Sequence, residues 1–195
     1  MFVVHYLSDK FDDAFEISCE ATDLNPTFLS VAKRGCYPRQ VLDGMHATER
    51  SYVSLSDQGV YVDEEVIRYV KFLPSSNFSA FPAAAQYDIV FLLNALIYVP
   101  ESEQAQTIDS ISSYNKEWLI LSAFHQNTVK SDLQRNRYYP VLSNIEAIHN
   151  AWLDRRVAAP EQESRAGIYA DWSLPEFSKI QDYEYRFGTI FRKSF

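Results

Sequence analysis

This chain of 195 residues is poor in several things, and each shortage excludes something. It has two cysteines, Cys19 and Cys36, whose spacing fits no zinc or redox motif and near which no histidines cluster. They read as two small thiols in a reducing compartment. Basic residues are outnumbered, 18 Lys and Arg against 26 Asp and Glu, for a net charge of −8. A general nucleic-acid binder needs a basic face, so that class is excluded, although Lys33, Arg34 and Arg39 form a local basic group. No apolar run approaches membrane-spanning length. The stretch Phe2 to Leu7 is too short for a signal h-region, which gives a cytoplasmic expectation. Glycine is scarce, with five residues, the first of them Gly35.

What is present is a folded composition. Apolar residues make up 47%, with thirteen Phe and thirteen Tyr, and the length suits a single domain over 1–195. Three- and four-residue steps through Val3, Val4, Leu7, Phe11 and Phe15 predict a helix over 2–15. Residues 16–21 alternate and end at Thr22-Asp23, as a strand does. Asn25-Pro26 then starts a helix with Phe28, Leu29 and Ala32 inward and Gly35 as its C-terminal cap. Residues 36–60 read as loop-rich, and Val60 to Val62 as a short extended piece. Asp63 is expected to cap a helix over 64–69, and Val70 to Leu73 is a strand ended by Pro74.

The next segment is the most informative. The run Tyr87 to Leu93 is continuously apolar after Asp88, as expected of a central strand buried on both faces, and it breaks at the polar Asn94. Ligands of open α/β sheets bind outside the carboxyl ends of the strands, so Asn94 and the acidic strand end at Asp23 point to a nucleotide-type cofactor. An amphipathic helix follows over 101–114, with Ala105, Ile108 and Ile111 inward, then a buried strand over 118–123. His125 follows that strand at the ligand-bearing edge and is the general-base candidate; His5, His46 and His149 read as structural or surface residues.

Residues 126–180 break the rhythm. They form a polar insertion with helical character around 145–156 and a last helix near 174–180; Trp152, Tyr169 and Trp172 are either an aromatic lid or the insertion's own small core. Tyr183 to Phe195 alternates and predicts a closing antiparallel strand bent at Gly188.

Three pieces together resemble the chemotaxis receptor methyltransferase (CheR) family over about residues 3–124: Glu20-Ala-Thr-Asp-Leu-Asn-Pro26, Ala32-Lys-Arg-Gly-Cys-Tyr-Pro38 and Asp88-Ile-Val-Phe-Leu-Leu-Asn-Ala-Leu-Ile-Tyr98. The resemblance implies a class I S-adenosylmethionine (SAM)-dependent methyltransferase with a Rossmann-like, mostly parallel sheet. It implies transfer of a methyl group to a carboxylate, a protein glutamate in the family's known members, or to another small nucleophile. Carried over, Asp23 would hold the ribose hydroxyls, Asn77 and Phe78 would border the adenine, Asn94 and Ala95 would line the cofactor near its methionine part, and Tyr98 would sit near the transferred methyl.

The departures are specific. Family members carry a strand and a turn of the form Gly-Cys-Ser-Thr-Gly-Glu before the first helix, whereas no glycine precedes Gly35 here. The expected sheet therefore lacks its first strand and glycine turn, and association through the unfilled sheet edge is expected. The family's Arg before the Asn is Leu93, and residues 126–180 match no family segment. Two readings stay open: an enzyme with a protein or small-molecule methyl acceptor, and a non-catalytic interaction module on the same core.

Overall fold

The computed structural model describes residues 17–81, 85–122, 126–143, 145–150, 178–179 and 181–194. The predicted helix over 2–15, His5, His125, Trp152, Tyr169, Trp172 and most of the predicted helix over 174–180 lie outside the described residues. The chain divides into two compact units, 1–77 and 78–195.

In the first unit, β1 (Cys19–Ala21) pairs in parallel with β5 (Val70–Phe72). Helix α1 (Pro26–Arg34) follows β1 as predicted. The Asn25 side chain accepts from the Thr27 amide, and Gly35 sits at φ 61 with its N–H on the carbonyls of Ala32 and Val31. That left-handed cap is open to glycine at little cost and to few other residues. The buried stripe is narrower than expected. Leu29 is buried, but Phe28 is 63% exposed.

Residues 36–60 are more regular than their loop-rich reading, and the extended piece Val60 to Val62 belongs to a strand. β2 (Cys36–Tyr37), β4 (Gly59–Val62) and β3 (Val53–Ser56) form an antiparallel sheet in the order β2-β4-β3. A short α2 (Ala47–Arg50) carries a capping box made by His46 and Glu49. Helix α3 is confined to Glu64–Ile67, and Asp63 makes no side-chain cap there.

In the second unit, β6 (Tyr87–Leu93) runs parallel to β7 (Asn115–Ser122), with helix α4 (Glu101–Tyr114) between them. Helix α5 (Lys130–Arg135) and β8 (Tyr138–Pro140) follow; residues 145–150 are helical. Helix α6 (Tyr183–Phe187) leads into β9 (Ile190–Lys193), antiparallel to both β7 and β8. The sheet order is β6-β7-β9-β8. Its core joins Val90, Leu92, Ile108, Ile111, Leu119, Leu121, Leu133, Tyr138 and Phe191. Of the predicted inward face of α4, Ile108 and Ile111 are buried and Ala105 is half-buried; Thr107 and Tyr114 are buried beside them.

Three expectations need correction. Among the described residues β6 pairs with β7 alone, so it is an edge rather than a central strand, and its Ile89, Phe91 and Leu93 are about half exposed. Four of the six described pairings are antiparallel, so the sheets are mixed rather than mostly parallel. The closing strand is real and antiparallel but shorter than predicted, because Tyr183–Phe187 is a helix. The Gly188 N–H closes that helix on the Glu184 carbonyl.

Candidate functional site

The first rim belongs to the β1–β5 pair. Parallel strands end on the same side, and the chain segments that leave them are tied together. The Leu73 amide donates to the Ala21 carbonyl (2.9 Å), the Thr22 hydroxyl to the Pro74 carbonyl (2.8 Å) and the Ser75 hydroxyl to the Leu24 carbonyl (2.7 Å). Asp23 and Asn77 therefore follow the same carboxyl edge of the strand pair. Asp23 Oδ1 accepts from the Asn25 amide at 2.7 Å, which turns the chain into α1. Its second carboxylate oxygen has no hydrogen bond among the described residues. Helix entry thus occupies one oxygen of the side chain and leaves the other open. Asn77 is exposed and holds an interaction of its own.

The second rim is the carboxyl end of β6 and β7. Asn94 adopts φ 54, a conformation asparagine tolerates better than most residues. Its amide donates to the Ser122 carbonyl (2.9 Å) and lies 3.1 Å from the Ser122 hydroxyl; that hydroxyl donates to Asn94 Oδ1 (3.2 Å). Ser122 is the residue that sequence reading missed. Its only signal is that it closes the apolar run of the neighbouring strand, in register with Leu93. With Oδ1 engaged, the Asn94 side-chain NH2 has no partner among the described residues, and it is the group left for a ligand. Ala95 packs on the core beside the buried Leu96. One turn on, Tyr98 is 80% exposed, with only its backbone tied, to the Ala95 carbonyl.

Phe78 belongs to the apolar cluster of the second unit. Its ring lies 6.4 Å from Phe81, which stacks in turn toward Tyr114 at 5.4 Å. His149, read as structural or surface, is buried with its ring edge on Phe187 at 5.2 Å. Among the described residues no group of His, Cys, Asp or Glu has the makings of a metal site, and no helix is long and apolar enough to cross a membrane.

The polar groups left over are of two kinds: a carboxylate oxygen at the first rim and an amide donor at the second. A ligand with vicinal hydroxyls suits the former, and one with acceptor oxygens suits the latter. No glycine occurs at the carboxyl end of β1, β5, β6 or β7, so none of these four ends offers the close backbone approach that a glycine turn would.

Residues 3–139 match the family model described as CheR methyltransferase, SAM binding domain. Among curated proteins, the chain is 25% identical over 100 residues to a chemotaxis protein methyltransferase of Vibrio anguillarum, covering 50% of this chain and 36% of that one. It is 22% identical over 121 residues to the chemotaxis protein methyltransferase of Borreliella burgdorferi, covering 60% of this chain and 43% of that one. The chain thus spans well under half the length of these relatives. Among solved structures, the [4+2]-cyclase SpnF aligns over 98% of this chain and 80% of its own, at 12% identity and a TM-score of 0.38. With the family model covering well over half of its residues, this chain belongs to the CheR methyltransferase SAM-binding domain family, whose cofactor is S-adenosyl-L-methionine.

Proposed function

We propose that this chain is a SAM-dependent methyltransferase of the CheR type that acts on a carboxylate, a protein glutamate or a comparable small nucleophile, in the cytoplasm. The observation that carries the reading is Asp23. It sits at the carboxyl edge of a parallel strand pair inside the family match, with one oxygen spent on the fold and the other available. In this reading Asp23 accepts from the ribose hydroxyls and Asn77 borders the adenine beside it. Asn94, held by Ser122, presents its amide to the cofactor, and Tyr98 lies nearest the acceptor. Phe78 contributes through the apolar wall it builds with Phe81.

SAM supplies a methyl group already activated on a positively charged sulfur. The chain's task is to align it with the nucleophile, since in-line displacement depends on alignment more than on acid–base help. A carboxylate acceptor is ionised at neutral pH and needs no proton removed. An amine or phenol acceptor would need a base, a role for which His125 is the candidate.

Calorimetric titration of the full chain with SAM tests this. Saturable binding is expected, weakened about tenfold or more by Asp23→Ala, the cost of losing a charged hydrogen-bond acceptor. Absence of binding at millimolar SAM supports the second reading, a non-catalytic interaction module. The observation that favours the module is that Asn94 and Asp23 both lend side-chain atoms to holding their own loops.

A further inference from the structure

Four cationic side chains line one cavity of about 520 Å³ in the second unit: Lys116, Arg135, Arg137 and Lys193. Gln86, which precedes β6, and Asn115, which opens β7, line it too, so it lies at the amino-terminal end of the parallel pair. Asn94 and Ser122 lie at the other end of those strands, about 20 Å away at the usual rise per residue. The cavity is therefore separate from the carboxyl-edge residues assigned to the cofactor.

The charges around it do not balance. Lys116 is paired with Asp88 at 3.0 Å, and Arg135 with Asp109 and Asp132, each at 2.8 Å. Lys193 meets no carboxylate among the described residues; its ammonium donates to the Ser112 (2.7 Å) and Asn115 (3.1 Å) carbonyls, at the end of α4. The Arg137 guanidinium makes no hydrogen bond or ion pair among the described residues. Burial, and then the nearby charge of Arg137, hold the Lys193 ammonium below the usual lysine range.

The Arg137 backbone is fixed while its side chain is exposed. It adopts φ 62, its amide donates to the Gln134 carbonyl (2.9 Å) and its carbonyl accepts from the Ser194 amide (2.9 Å). A bulky residue in that conformation costs energy that the surroundings must offset. A chain of net charge −8 thus sets two cations that pair with no carboxylate among the described residues beside each other on the wall of one cavity.

We propose that this cavity binds a phosphate-type oxyanion, with Arg137 as its fork-shaped ligand and Lys193 as the adjacent positive charge. Arginine's planar fork matches two oxygens of a phosphoryl group at once, and a bound anion relieves the repulsion between the two cations. The ligand is free phosphate or the phosphoryl group of a small phosphate ester.

The test is calorimetric titration of the full chain with inorganic phosphate and with glycerol 3-phosphate, each at ionic strength held constant with sodium chloride. Saturable one-to-one binding is expected for both. Arg137→Gln should weaken it about tenfold or more, since a charge-assisted bidentate contact is lost. Arg137→Lys, which keeps the charge but loses the fork, should fall between. Lys71→Gln, in the other unit, should change nothing. Thermal melts without phosphate show that each variant is folded. Heat no larger than an equal addition of chloride, or equal binding by folded Arg137→Gln, would overturn the proposal. SAM is absent throughout, so the result is independent of the methyltransferase reading.

Discussion

Two buried tyrosines show how the value of one hydroxyl depends on its neighbours. Tyr114 and Tyr138 are both in the core of the second unit, 4% and 0% exposed. Burial pushes both phenols up, Tyr138 to about 12, so both are neutral at any working pH and their effect is one of hydrogen bonding. The Tyr138 hydroxyl accepts from Asn115 Nδ2 at 2.9 Å, whereas the Tyr114 hydroxyl has no partner among the described residues. A buried polar group without a partner costs about 1–3 kcal/mol, most of which is recovered when the group is deleted without changing shape. Tyr114→Phe should therefore stabilise the chain by roughly 1 kcal/mol, and Tyr138→Phe should destabilise it by about 1–2 kcal/mol because it strands an amide proton of Asn115. Urea unfolding of the three proteins checks both signs together. A loss of stability in Tyr114→Phe would mean that its hydroxyl is satisfied by an ordered water.

At the scale of elements, the legible parts of the fold were those whose pattern the core enforces. Helix α4 followed its three- and four-residue spacing, and α1 its Asn25, Pro26 and Gly35 signals, because caps and buried faces act locally. Of the sheet β2-β4-β3 only β4 was legible, as the extended piece Val60 to Val62, since the strands are two to four residues long and β3 places serines between its apolar positions. Phe28 carries the right period on a helix face with little to pack against, and periodicity cannot count the partners of a face. Of the site, the two strand-end positions Asp23 and Asn94 were legible as polar breaks after apolar runs; Ser122, which fixes Asn94, depends on a register that only the paired strands reveal. The strand-like alternation of Tyr183, Tyr185 and Phe187 was overridden by Gly188. A Cβ placed there would lie 2.4 Å from the Glu184 carbonyl oxygen, the acceptor of the bond that closes α6. Gly188→Ala should consequently cost roughly 2 kcal/mol or more, as overpacking against backbone does. It should also loosen β9, which amide exchange at Phe191 would report; unchanged exchange and stability would mean that α6 ends elsewhere.

At the scale of the whole molecule, the uncovered face of β6 is the feature that sequence and structure describe most differently. A strand in a parallel pair is ordinarily buried on both sides, and the unbroken apolar run of β6 has the composition for it. Yet only Val90 and Leu92 are buried, while Ile89, Phe91 and Leu93 are 48%, 54% and 56% exposed. Their neighbours in register, Trp118 and Ile120, extend the same face. Across β7, Arg192 closes it by stacking on Trp118 at 5.2 Å and pairing with Glu117 at 2.8 Å. Contiguous apolar surface of this kind drives association, while the net charge of −8 opposes it. The two forces respond oppositely to salt, because screening weakens the repulsion and leaves burial intact. The sedimentation coefficient of the purified chain should therefore rise with protein concentration, and more steeply at high salt than at low. The double variant Ile89→Thr, Phe91→Thr should flatten that dependence while keeping the fold, since both side chains lie on the exposed face. Association that salt weakens would instead assign the contact to ion pairs elsewhere, and a coefficient independent of concentration would mean that the three exposed side chains are tolerated as they stand.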